Sequence, residues 1–238
     1  ESDLLDYPGM YLYNEGDATT LSGRFAPYPK TVEYGGHNML QGIVREREDY
    51  IASCSAGESF PWRIIMVTTN DADLAVNDMV WKLGTPADPS VDYSWVRPGK
   101  VAWDWWNAWN IYGVDFRAGI NNDTYKYYID FAQKHGIEYV ILDEGWAVNK
   151  KADLMQIVPE IDLPMLCEYA AAHNVGLILW AGYYAFDRDM ENVCRHYSEM
   201  GIKGFKVDFL DRDDQTAVEM IYRIAAKAAE YKLILDYN

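Results

Sequence analysis

Through the second half of the chain, stretches with apolar residues at helical spacing alternate with short, unbroken apolar runs. Four times a helical stretch closes on a break and enters such a run: 131–135 into 137–143, 166–173 into 175–180, 194–200 into 202–209, and 225–231 into 233–237. Gly136, Asn174 and Gly201 occupy breaks where a helix end needs a residue tolerant of positive φ. Unbroken apolar runs are the mark of parallel strands buried on both faces. After Arg212 a helix is expected to start at Asp213 and Asp214, with one apolar stripe at Val218, Ile221, Ile224, Ala225 and Ala228. With 100–106 as the first strand, the pattern predicts five strands and four helices. Alternating strands and helices imply a parallel sheet, open or closed. An open dinucleotide-binding sheet would carry a Gly-rich loop after its first strand, and Trp105-Trp106-Asn107-Ala108-Trp109 is nothing of the kind. The expected fold is therefore the first five strands of a TIM-type (β/α)8 barrel.

The first part of the chain reads differently. From Arg24 to about Leu83, β-branched or apolar segments at 41–45, 50–52 and 63–69 suggest strands, interrupted by a helical or looped stretch at 71–80. Segment 84–99, with Pro86, Pro89 and Pro98, reads as a linker. A domain boundary is expected near residue 95, with 1–95 forming a β-rich part plus linker and 96–238 the half-barrel.

Charge narrows the partners. Lys and Arg total 21 against 37 Asp and Glu, a net charge of −16. So acidic a surface repels phosphate backbones and anionic lipid, so neither nucleic acid nor membrane is an expected partner. A neutral sugar is not excluded, and the 9 Trp and 19 Tyr supply flat amphipathic rings that suit sugar faces as well as cores. Three scattered cysteines make no disulfide framework, the four histidines show no ligand spacing, and no run is long and apolar enough to cross a bilayer. His135 and His173 fall in last helical turns, where a structural role suits them. The chain opens on Glu1 and stops on Asp236-Tyr237-Asn238 directly after a strand-like run, and so reads as a piece of a longer polypeptide.

In barrels of this type, function gathers at the C-terminal ends of the strands. Those ends carry Trp103-Asp104-Trp105-Trp106-Asn107, Asp143-Glu144-Gly145-Trp146, Trp180-Ala181-Gly182-Tyr183, Lys206-Val207-Asp208-Phe209 and Asp236-Tyr237-Asn238. Carboxylates interleaved with Trp and Tyr suit a sugar: the acids bind hydroxyls or do acid, base or nucleophilic work, and the rings cover the apolar face. Lys206 and Asp208, two apart on a strand, face the same way, and the ammonium favours an ionised Asp208. Such a carboxylate is what a retaining glycosidase uses as nucleophile; a buried ion pair at the rim would place the same two residues. Of Asp143 and Glu144, adjacent on a strand, only one is expected to face the mouth. Asp104, Glu144, Lys206, Trp105, Trp106 and Trp146 are the candidate sugar-contacting residues, with Trp109 beside them; Trp81 and Trp95 are expected to pack. Asp211, Asp213 and Asp214 are expected to cap a helix and meet solvent.

Three of these runs carry a resemblance. Segment 95–106 (Trp-Val-Arg-Pro-Gly-Lys-Val-Ala-Trp-Asp-Trp-Trp), segment 142–146 (Leu-Asp-Glu-Gly-Trp) and segment 201–209 (Gly-Ile-Lys-Gly-Phe-Lys-Val-Asp-Phe) are together similar to glycoside hydrolase family 97, and the opening 1–10 resembles a late part of that family's N-terminal β-sandwich. The resemblance implies that 1–95 ends such a sandwich and that the barrel hydrolyses α-linked sugars. It also implies a calcium ion beside the active site, with Glu1 reaching toward it, and a periplasmic location. The family's inverting α-glucosidases lack a carboxylate at the end of strand four, where retaining, α-galactosidase-like members have an Asp; Asp208 stands there. The resemblance therefore implies a retaining, exo-acting α-galactosidase with Asp208 as nucleophile. Close alternatives are a retaining α-glucosidase or a β-L-arabinopyranosidase, and outside enzymes a carbohydrate-binding barrel without catalysis. The family's general acid/base Glu would lie beyond Asn238, and the chain by itself is expected to be inactive.

Overall fold

The computed structural model describes residues 10–16, 19–57 and 62–238. The chain divides into two compact units. One holds the described part of 1–33 with 44–92 and 211–223; the other holds 34–43, 93–210 and 224–238. Neither is continuous in sequence, because a ten-residue hairpin tip belongs to the second unit and a helix start to the first.

In the first unit, β1 (Met10–Tyr13) pairs antiparallel with β2 (Ser22–Phe25). A second pair joins β3 (Pro29–Gly35) and β4 (Gln41–Arg47) across a connection short enough only for antiparallel strands. Of the expected strands, 41–45 is realised in β4, whereas 50–52 and 63–69 form none among the described residues. Ile65 and Val67 in the latter are 60% and 91% exposed, so their β-branched character finds no described strand to pack on. β3 escaped the pattern because Lys30, Thr31 and Glu33 point outward and leave little apolar alternation. Two short helices, α1 (Ala72–Ala75) and α2 (Met79–Leu83), follow. Trp81, expected to pack, is 88% exposed. Asp214 is wholly buried rather than solvated. It takes Arg212 at 2.8 Å and Arg47 at 3.4 Å and accepts the Ala217 N–H at 3.2 Å, which makes it a helix cap inside an ion-pair network.

The second unit carries five parallel strands in the order β5 (Val101–Trp103), β6 (Tyr139–Leu142), β7 (Gly176–Gly182), β8 (Gly204–Asp208) and β9 (Ile234–Tyr237). Sequential parallel order with helices between the strands is the half-barrel expected. The helices are α3 (Asn122–His135), α4 (Leu163–Ala172), α5 (Tyr183–Asp187), α6 (Met190–Met200) and α7 (Gln215–Glu230). Each start and stop has a local cause. Asn121 and Asp162 accept the N–H groups of Thr124 and Met165 at the starts of α3 and α4. Gly136, Asn174 and Gly201 take φ of 63, 55 and 102° where α3, α4 and α6 end.

Register sorts the side chains into layers. Trp103, Ile141, Ile178, Gly204 and Ile234 share one level of the inner face, and Trp180, Lys206 and Asp236 the next level toward the C-terminal ends. Gly204 lies under Ile234: a Cβ there would come within 2.2 Å of the Ile234 carbonyl oxygen. Val140, Leu142, Leu177, Leu179, Phe205 and Val207, on the other face, are all buried. The first strand stops sooner than its apolar run suggests. Asp104–Asn107 winds into a one-turn 3-10 helix closed by Ala108 at φ 50°, so Trp105 and Trp106 stand on a turn beyond the strand.

Candidate active site

At the C-terminal ends of these strands, a cleft of about 450 Å³ is lined by Trp103, Trp105, Trp106, Asp143, Glu144, Trp180, Asp208, Phe209 and Asn238. Asp208, the last residue of β8, projects into it. Lys206 Nζ lies 3.5 Å from Asp208 Oδ2, as strand alternation requires. The ammonium does not act alone. Trp180 Nε1 donates to Oδ2 at 2.9 Å, the Phe209 N–H to Oδ1 at 2.6 Å, and Asn238 Nδ2 to Oδ1 at 3.2 Å. Burial pushes this carboxyl up, but the three donors and the Lys206 charge outweigh it and hold its pKa below the ordinary aspartate value. Phe209 reaches its position with φ 61°, a strained turn that aims its N–H back at the carboxylate.

Lys206 itself is 2% exposed and does not line the cleft. Its Nζ sits 4.9 Å above the Trp103 ring. It is a charge held beside Asp208 and outside the cleft lining. Asp104 departs from expectation in the same direction. It is wholly buried under the rim, its Oδ1 accepts the Asp143 N–H at 3.3 Å, and burial, with Asp143 adding repulsion, drives its pKa up to about 7. The Tyr125 hydroxyl beside Asp104 opposes that rise without offsetting it. Trp146, expected at the rim, is a core residue: 1% exposed, edge-on to Tyr197, its Nε1 donating to the Trp180 carbonyl at 2.8 Å. Gly145, at φ 120°, turns the chain between Glu144 and Trp146, which sends the indole inward.

Asp143 and Glu144 both line the cleft. β6 ends at Leu142, so the pair lies on a turn where strand alternation no longer separates them. Trp103 Nε1 donates to Asp143 Oδ2, and burial raises the Asp143 carboxyl. Trp105 stacks on Trp103 at 5.1 Å and 16°, with Trp106 edge-on to both. The two are 51% and 75% exposed and form an open indole platform.

Two residues of the site come from outside the strand ends and were not foreseen. His37 Nε2 lies 2.7 Å from Glu144 Oε2, and Asn38 Nδ2 donates to Glu144 Oε1. They sit at the tip between β3 and β4, a short-range irregularity with no periodic signal. Trp180 was legible as a strand end but gave no sign of its bond to Asp208. Glu1 lies outside the described residues, and among the described residues no group of three or more His, Cys, Asp or Glu is placed to hold a metal ion.

The arrangement offers one ionised, fully directed carboxylate, a second carboxylate pushed toward its neutral form, a third clamped at both oxygens, and an indole platform. Comparison with known proteins gives the same direction. The family model described as Glycoside hydrolase 97 matches residues 105–238, and Glycosyl-hydrolase 97 N-terminal matches 1–86. A curated protein from Bacteroides thetaiotaomicron, "Retaining alpha-galactosidase", is 64% identical over 238 residues, which are 100% of this chain and 36% of that protein. The chain thus spans little more than a third of the length of that relative. Among solved structures, a family 97 enzyme from Pseudoalteromonas sp. strain K8 in complex with acarbose matches 99% of this chain and 38% of its own, with TM-score 0.71 and 21% identity. A β-arabinopyranosidase matches 100% of this chain and 36% of its own, with TM-score 0.61 and 21% identity. At that identity the two structures speak to the fold alone.

Proposed function

This chain belongs to glycoside hydrolase family 97, and from that premise we propose that it carries the nucleophile-bearing half of a retaining, exo-acting α-galactosidase. The observation that carries the reading is Asp208: a carboxylate at the end of the fourth barrel strand, in the cleft, kept ionised by three hydrogen-bond donors and an ammonium. The 64% identity to a protein curated as a retaining α-galactosidase supports the same choice of mechanism and sugar.

In this mechanism an Asp208 oxygen attacks the anomeric carbon from below as the glycosidic C–O bond breaks. Positive charge spreads over the ring oxygen in an oxocarbenium-like transition state. A carboxylic acid outside residues 1–238, expected ~5–5.5 Å away as in other retaining enzymes, gives its proton to the leaving oxygen. The glycosyl-enzyme ester on Asp208 is then cleaved by water, which returns a proton to that acid and frees the carboxylate. Trp105 and Trp106 offer apolar rings to a pyranose face, and Asp143 and Glu144 offer acceptors for its hydroxyls.

Calcium beside the active site and a periplasmic location belong to the same proposal and rest on the family resemblance. Glu1 would be one ligand; the described residues supply no group of three or more His, Cys, Asp or Glu to complete the set. Hydrolysis that survives exhaustive chelation would remove calcium from the proposal, and cell fractionation tests the location.

The test is Asp208→Asn in the full-length protein, assayed against nitrophenyl α-galactoside, α-glucoside and β-L-arabinopyranoside. Turnover of the α-galactoside should lead the panel and fall by at least about a thousandfold in the variant. Wild-type rates in the variant would take Asp208 out of the mechanism, and preference for another sugar would change the substrate but not the nucleophile.

A further inference from the structure

Both oxygens of Glu144 are held by a hairpin more than a hundred residues earlier in the chain. His37 Nε2 lies 2.7 Å from Oε2, and Asn38 Nδ2 donates to Oε1. An ionised carboxylate only accepts, so the imidazole supplies the hydrogen. With each oxygen bonded, the plane of the carboxylate is set, and each oxygen keeps a second acceptor site. The Glu144 side chain is 20% exposed and lines the same cleft as Asp208.

The hairpin tip is itself seated. Leu40 packs on Gly182 so closely that a Cβ at 182 would meet Leu40 Cβ at 2.4 Å. The Gly42 N–H donates to the Tyr183 hydroxyl oxygen, and Tyr34 stacks on Tyr184 at 4.2 Å. These contacts bind the tip to the end of β7 and the start of α5. His37 also has a second contact: its ring stacks on Phe209 at 4.8 Å, and the Phe209 N–H is the donor that holds Asp208 Oδ1 at 2.6 Å. One imidazole thus touches the support of two cleft carboxylates.

We propose that His37 and Asn38 form a specificity clamp that fixes Glu144 as the acceptor for a hydroxyl of the bound pyranose, while the His37 ring steadies the Phe209 peptide that positions Asp208. His37 and Asn38 are positioning residues, acting through Glu144 and Phe209 and not on the sugar. The proposal rests on the reading of the cleft as a glycoside site. An aligned, doubly held acceptor discriminates between sugars that differ in the orientation of one hydroxyl, because the wrong epimer leaves the second acceptor site of a carboxylate oxygen unfilled once the sugar has displaced water from it.

Two substitutions separate the two contacts of His37. His37→Phe keeps a flat ring for Phe209 and removes the donor; His37→Gln keeps a donor and removes the ring. Binding of methyl α-galactoside is measured by calorimetry in full-length Asp208→Asn protein, so that turnover plays no part. His37→Phe and Asn38→Ala should each weaken binding about tenfold, as expected for loss of a charge-assisted bond. His37→Gln should bind within about threefold of the parent, yet lower kcat when placed in the enzyme with Asp208 intact. In a Glu144→Ala background the His37→Phe and Asn38→Ala losses should vanish. Unchanged binding in His37→Phe, or losses that persist without Glu144, would overturn the clamp. If Asp208→Asn remains active, the nucleophile assignment fails while the binding cycle still judges the clamp. If another glycoside binds and the galactoside does not, the sugar assignment fails and the cycle is read on that glycoside.

Discussion

Trp180 Nε1 donates to Asp208 Oδ2 at 2.9 Å, from one parallel strand to the next. The register pairs Trp180 with Lys206, and Gly182 with Asp208, so the indole sits beside the ammonium one level below the carboxylate it serves. Asp208 is therefore stabilised by a neutral donor and a cation that belong to one inner layer.

Trp180→Phe tests that bond. A hydrogen bond to a charged group contributes about 1.5–3 kcal/mol, equivalent to about one pH unit or more. Without it burial has less opposition, the Asp208 pKa rises, and the acidic limb of kcat/KM in the full-length enzyme should move upward by roughly that amount. An unmoved limb would deny the indole its role.

Asp104 makes the opposite kind of prediction. Its folded pKa of about 7 lies above the ordinary 3.8. Between those values the folded protein holds a proton that the unfolded chain has released, so stability falls as pH rises through this window and stays lower above it. The full penalty is about 4 kcal/mol. Asp104→Asn keeps an acceptor for the Asp143 N–H and cannot ionise, so melting temperatures from pH 4 to 8 should decline less in the variant than in wild type. Parallel curves would show that Asp104 does not titrate in this range.

Trp105 and Trp146 should separate function from stability. Trp105→Ala removes half of an exposed stacked pair and should raise KM by roughly five- to thirtyfold, the worth of about 1–2 kcal/mol of ring contact. Trp146→Phe removes the bond to the Trp180 carbonyl inside the core and should cost about 1–3 kcal/mol of stability with KM little changed. Steady-state kinetics and thermal melts on both variants check this, and the reverse outcome would return Trp146 to the cleft.

Gly204→Ala should be among the costliest small changes. The added methyl would lie 2.2 Å from the Ile234 carbonyl oxygen, so β8 and β9 would have to separate just below Asp208. A loss of roughly 3 kcal/mol, on the order of 10 °C in melting temperature, is expected in a thermal melt. A melt within a degree or two of wild type would mean that the strands part freely.

The amino-acid sequence by itself determined the half-barrel. Unbroken apolar strands, helical stripes and Gly or Asn at helix ends are local signals, and each answers to the nearest few residues. The same locality placed Asp208 and Lys206 on one face, since strand alternation is a property of the backbone alone. Only the tertiary structure decided what depends on residues distant in the chain. Burial made Asp104 a half-neutral group under the rim and drew Trp146 into the core. The turn after Leu142 let Asp143 and Glu144 share the cleft, against the alternation rule. The hairpin tip brought His37 and Asn38 to Glu144. No local pattern encodes these, because desolvation and hydrogen-bond partnership are set by which surfaces meet when the chain closes on itself.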